Sequence, residues 1–143
     1  MITIIADENI ASLDDYLNHH AIRLIKMKGR DINQAAIDTH QPDALFVRSV
    51  TPISPQTIQD FGRIRFIGSA TIGTDHIDID YLHHKGIHFA NAQGSSKHSV
   101  AQYVISAILH LRPQSLDTPT TLGIIGLGNI GHAQGQCGHR RTR

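Results

Sequence analysis

Short aliphatic and β-branched runs alternate with stretches of helical period along most of this sequence. Ile2-Thr3-Ile4-Ile5-Ala6 reads as a first strand, closed by Asp7-Glu8-Asn9. Residues 11–20, with Leu13 and Leu17 four apart, read as a helix, and 21–27 as a partly exposed strand. Residues 32–39 suit a short, weak helix. Ala44-Leu45-Phe46-Val47 is a continuous apolar run, which suits a strand buried on both faces. Ser54-Pro55 has the form of an N-cap and first helical position, predicting a helix that Gly62 ends. A strand over 65–70, a polar glycine-containing loop over 71–75, a helix over 78–84 and a strand over 87–92 follow.

Residues 99–111 carry the strongest helical pattern. Val100, Val104, Ile108 and Leu111 form one apolar face, and Ala101, Ile105 and Leu109 a second, which predicts burial on two sides. Residues 112–120, with Pro113 and Pro119, read as a linker, and Leu122-Gly123-Ile124-Ile125 as a last strand. Alternation of this kind with short connections argues an α/β fold, a parallel sheet with helices on both faces. Ligands of such sheets bind beyond the carboxyl ends of the strands.

At 143 residues the chain has room for one domain, or one domain and a piece of another. Its 40% hydrophobic and 17% charged residues exclude a disordered segment. No apolar run approaches the roughly 20 residues of a membrane helix, and the N-terminus has no signal character. Cys137 is the one cysteine, so no internal disulfide framework exists, and a cytoplasmic location is expected. Thirteen basic side chains oppose twelve acidic ones; without Arg140, Arg141 and Arg143 the balance is ten against twelve. With no basic stripe, nucleic acid is not an expected partner.

Gly126-Leu127-Gly128-Asn129-Ile130-Gly131 directly follows the last apolar run, the context a dinucleotide-binding loop requires. In such a loop Gly126 permits the turn, Gly128 admits a pyrophosphate, and Gly131 lets the helix close on the strand. The sequel departs from the pattern. Residues 132–143 show no apolar stripe, contain two more glycines and offer no acid for a ribose. They read as a non-native tail, after truncation or a shifted frame. On that reading Cys137 and His139 are accidents of the tail, too few for a metal site. His83, His84 and His88 do not complete a ligand set either, and a solvated helix end is the preferred reading.

The strings Ala44–Thr51, Phe66–Asp78, Gly86–Ala92 and Val100–Val104, with the glycine loop, resemble the D-2-hydroxyacid dehydrogenases. Val47-Arg48-Ser49-Val50-Thr51, Ala70–His76 and Asp7-Glu8-Asn9 are similar to one member acting on a small phosphorylated hydroxy acid. The resemblance implies a flavodoxin-like sheet that holds substrate, and a Rossmann domain that holds NAD. Residues 1–111 then belong to the substrate domain, 112–120 to a linker and 121–131 to the start of the NAD domain. It implies that Ser49 and Thr71 contact substrate, and that Gly126, Gly128 and Gly131 contact NAD. The family's catalytic arginine, glutamate and histidine have no counterpart here, so no catalytic residue is assigned. Homodimers are implied for the complete protein and self-association for this chain. Ser95-Ser96 and Gln102 depart from the family pattern.

Several residues have readings independent of the resemblance. Ser49 holds either an anionic oxygen or its own turn. Arg48 pairs either with a substrate phosphate or in a structural ion pair. Asp7 and Glu8 end the first strand as magnesium-binding acids of receiver domains do, but Arg48-Ser49 occupies the place of the required phosphorylatable Asp. His76 is expected to hydrogen-bond within its loop. A non-catalytic binding module of the same fold, or another dehydrogenase of the family, are the alternatives.

Overall fold

The computed structural model describes residues 1–111 and 122–139. They divide into two compact units, Met1–Gln93 and one beginning at Gly94.

In the first unit β1 (Ile2–Asp7), β2 (Ile22–Met27), β3 (Ala44–Val47), β4 (Phe66–Ser69) and β5 (His88–Asn91) form one sheet in the order β2-β1-β3-β4-β5. Every pairing is parallel. This is the flavodoxin-like order, in which strand order reverses between β1 and β3. The central strands supply Ile5, Leu45, Val47 and Ile67 to the core, each fully buried. Burying one such side chain contributes about 1.5–3 kcal/mol. Ile32, Ile37, Ile53, Ile58, Phe61, Ile64 and Leu82 complete an almost wholly aliphatic interior, as the absence of Trp requires.

The helices are short. α1 spans Leu13–Leu17, α2 Gln34–His40 and α3 Ile79–His84. Asn33 caps α2 by accepting from Ala36 N at 3.1 Å, and Asp78 caps α3 by accepting from Tyr81 N at 2.9 Å. The helix expected over 11–20 shrinks to α1. Ser12 gives it no side-chain cap, and Asn18 ends it, followed by residues of low helix propensity.

No helix forms over 54–62. One turn begins, with Ile58 N donating to Ser54 O, and then tertiary bonds take over. The Tyr81 hydroxyl donates to the carbonyls of Ile58 and Gln59. The Gln34 side chain accepts from the amides of Gln59 and Asp60 and donates to Asp60 O. Backbone groups satisfied from outside no longer need a helical partner.

The second unit contains α4 (Lys97–Leu111) and α5 (Asn129–His139), which pack on each other. Two sequence expectations are corrected here, a strand over 122–125 and burial of α4 on two sides. Leu122–Ile125 forms no strand, since a strand needs a ladder partner and none adjoins it among the described residues. The helix beginning at Asn129 continues to His139, into the stretch that lacks an apolar stripe. In α4, Ala101 is fully buried, whereas Val104, Ile105, Ile108 and Leu109 are only half-buried, so neither apolar face is sealed. α4 lies in the same compact unit as the glycine-loop segment. The expected linker, 112–120, and the terminal arginines lie outside the described residues.

Candidate functional site

The sheet's carboxyl edge is set by register. Asp7 pairs with Met27, Val47 with Ser69, and Ser69 with Asn91. Ser49 and Thr71 each stand two residues beyond a member of the Val47–Ser69 pair, so adjacent strands deliver both to one edge. Ser49 is exposed, on a turn closed by Thr51 N donating to Arg48 O at 3.0 Å. Thr71 is half-buried.

The loops leaving these strands are tied together. Ala70 N donates to Val47 O, and Ala92 N to Thr71 O. The Asn91 amide donates to Ile72 O at 2.8 Å. Ile53 and Ile77 form a parallel bridge, with Ile53 N donating to His76 O at 2.8 Å. The segment after β3 and the loop after β4 therefore keep one relative position.

Below Ser49 lies a buried polar knot. Thr51 is fully buried and its hydroxyl donates to Gly29 O at 2.8 Å. Asp7 is fully buried too. Its Oδ1 accepts from the backbone and side chain of Asn9, while Oδ2 has no partner among the described residues. A β-carbon at Gly29 would overlap Asp7 Oδ2 and approach Val50 Cγ2 and Thr51 Oγ1. Gly29 is glycine for want of space, and the knot fixes the turn carrying Ser49.

Beside Thr71 lies a second polar group. Ser69, 5% exposed, has its hydroxyl 2.8 Å from Thr71 Oγ1 and 3.2 Å from His76 Nε2. Thr71 Oγ1 also donates to Gly73 O at 3.1 Å. Burial pushes the His76 imidazole below its ordinary range, and the neighbouring Asp75 carboxylate partly opposes this. The imidazole of His76, expected to bond within its loop, reaches back to Ser69 at the end of β4. Ser69 was not singled out from sequence, although a serine ending a buried strand two residues before Thr71 was the available signal. Arg48 is half-buried and makes no ion pair among the described residues, so the structural-pair reading finds no partner. His83, His84 and His88 are exposed.

The glycine loop belongs to the second unit. Gly126 has φ +95°, open to glycine and strained for other residues. A β-carbon on Gly131 would collide with the carbonyl of Gly126, so the third glycine lets α5 start against the turn. His132 N donates to Gly128 O at 3.0 Å within the first turn. A cleft of about 280 Å³ adjoins this helix start, lined by Lys97, His98, Leu127, Gly128, Asn129 and His132. Free amides at a helix N-terminus suit a pyrophosphate, so this part of NAD fits the loop. No acid for a ribose stands among the described residues of this unit.

A parallel sheet of this order, with hydroxyl-bearing loops at its carboxyl edge and a glycine loop following in sequence, defines an α/β protein of the dehydrogenase class. Residues 2–134 match the family described as D-isomer specific 2-hydroxyacid dehydrogenase, catalytic domain, and the chain belongs to that family. Among curated proteins, the erythronate-4-phosphate dehydrogenase of Psychrobacter arcticus is 53% identical over 94% of this chain and 39% of its own length. This chain therefore spans about two-fifths of such relatives. The NAD-complexed D-isomer specific 2-hydroxyacid dehydrogenase of Lactobacillus delbrueckii shares the fold, with a TM-score of 0.67 at 13% identity. That match covers 96% of this chain and 50% of the other. The D-lactate dehydrogenase of Aquifex aeolicus, complexed with NAD and lactic acid, superposes with a TM-score of 0.63 at 18% identity, over 96% of this chain and 48% of the other.

Proposed function

We propose that this chain is the substrate-holding portion of an erythronate-4-phosphate dehydrogenase, which oxidises the 2-hydroxyl of 4-phospho-D-erythronate in pyridoxal phosphate synthesis. On this reading residues 1–111 belong to the substrate domain, 112–120 to a linker and 121–131 to the start of the NAD domain. Ser49 and Thr71 hold anionic oxygens of the substrate, and Arg48, half-buried and without an ion-pair partner among the described residues, adds positive charge at the same edge. Gly126, Gly128 and Gly131 hold the pyrophosphate of NAD, which when bound supplies the hydride acceptor. The complete protein works in the cytoplasm as a homodimer. With no catalytic residue assigned in it, this chain alone is a binding module without turnover.

The observation carrying the reading is the register that sends Ser49 and Thr71 from paired strands to one edge. Similarity to relatives named for this substrate supports it. Calorimetric titration with 4-phospho-D-erythronate, D-erythronate and D-lactate tests it. The phosphorylated acid should bind about tenfold more tightly than the others, and Ser49→Ala with Thr71→Ala should abolish the preference. Equal affinity for all three acids, or a preference that survives the double replacement, overturns the assignment.

A further inference from the structure

Ser69, Thr71 and His76 form a hydrogen-bonded row whose proton order can be worked out. A hydroxyl has one proton to give and accepts through its lone pairs. Thr71 gives its proton to the Gly73 carbonyl, which only accepts. The 2.8 Å contact between Ser69 and Thr71 must then run from Ser69 to Thr71. That spends the Ser69 proton, so the 3.2 Å contact to His76 Nε2 must run from the imidazole to Ser69. The row reads His76 Nε2–H to Ser69, Ser69 to Thr71, and Thr71 to Gly73.

We infer that His76 and Ser69 are positioning residues that hold the Thr71 hydroxyl as a donor toward the substrate edge. This rests on the proposed role of Thr71 and adds a cause for it. A free threonine hydroxyl spends part of its time presenting its lone pairs outward, where they repel an anionic oxygen. Here Ser69 occupies a lone pair of Thr71 with a donated proton. Thr71 needs only to swing its own proton from the Gly73 carbonyl to an arriving carboxylate or phosphate oxygen. The backbone reinforces this, because the His76 carbonyl accepts from Ile53 N and ties the imidazole's loop to the segment after β3. One residue therefore sets both the direction of the Thr71 donor and the spacing of the two loops.

The test uses the whole chain in two arms. Long-range proton–nitrogen NMR at pH 8 reads the His76 tautomer without ligand; the inference expects the proton on Nε2. Titration with 4-phospho-D-erythronate then reads binding through the Ser49 and Thr71 amide shifts. His76→Leu and Ser69→Ala should each weaken binding about three- to tenfold. His76→Gln, whose side-chain amide still donates, should restore most of it. A proton on Nδ1, with Nε2 accepting from Ser69, overturns the inference. So does unchanged binding in His76→Leu and Ser69→Ala, or failure of His76→Gln where the amide spectrum remains that of the folded chain. If the unmodified chain shows no saturable shift at Ser49 and Thr71, the substrate reading falls while the tautomer still decides the proton order.

Discussion

At Gly29 and Asp7 a side chain's absence and a carboxyl group's burial are two sides of one arrangement. The space a β-carbon would need is taken by Asp7 Oδ2, Val50 and Thr51, so Gly29→Ala must push apart a packed knot. We expect it to destabilise the chain by about 1–3 kcal/mol in urea unfolding. A loss below about 0.5 kcal/mol would show that the knot yields. The sequence could not announce this, because hydropathy patterns place Asp7 at a strand end without saying whether it is covered. The edge positions of Ser49 and Thr71 were legible because each follows an apolar strand; the contacts of Ser69 were not, since they depend on a loop folding back. His76 gives a prediction with a definite sign. Its pKa is lowered in the folded chain, so the unfolded chain binds more protons at mildly acidic pH. Its contribution is complete above its unfolded value and is lost as pH falls from about 6.5 through the folded value. Unfolding curves between pH 7.5 and 5 should show wild type losing stability relative to His76→Gln; parallel curves would contradict this.

Among the elements, the strands were the most readable. All five paired strands fall within a residue or two of their expected bounds, the central β3 most closely because a continuous apolar run leaves few alternatives. Helices were harder. Ser54-Pro55 carries a good helix start, yet Tyr81 and Gln34, distant in sequence, satisfy the backbone at 58–60 and prevent continuation. Leu122–Ile125 has strand composition but no ladder partner among the described residues. Both errors have one cause, since local pattern does not contain the partner. Tyr81→Phe removes the hydroxyl that bridges Ile58 O and Gln59 O while keeping the ring on Phe61. It should cost about 1 kcal/mol, and faster amide exchange should appear across residues 54–62. Unchanged exchange there would show that Gln34 alone suffices.

For the whole molecule, the first unit carries the sealed core and the second leaves aliphatic groups in water. Leu122, Ile125, Leu127 and Ile130 are all exposed, Ile125 completely. Apolar groups exposed this close together in sequence drive association, so the glycine-loop segment joins the unsealed faces of α4 as an adhesive region. Sedimentation at tens of micromolar should reveal concentration-dependent self-association. Ile125→Ser with Leu127→Ser should suppress it without changing the unfolding midpoint of the first unit; a clean monomer before mutation would contradict this. No helix among the described residues is long and apolar enough to cross a membrane.

On the proposed function, residues of this chain select 4-phospho-D-erythronate. Its most direct test joins residues 1–131 of this chain to the remaining segment of the Psychrobacter arcticus relative and follows NADH formation by absorbance. The chimera should turn over 4-phospho-D-erythronate at a rate comparable to the relative's own, turn over little D-lactate, and lose that preference with Thr71→Ala. A folded chimera that is inactive on 4-phospho-D-erythronate, or that prefers D-lactate, would contradict it.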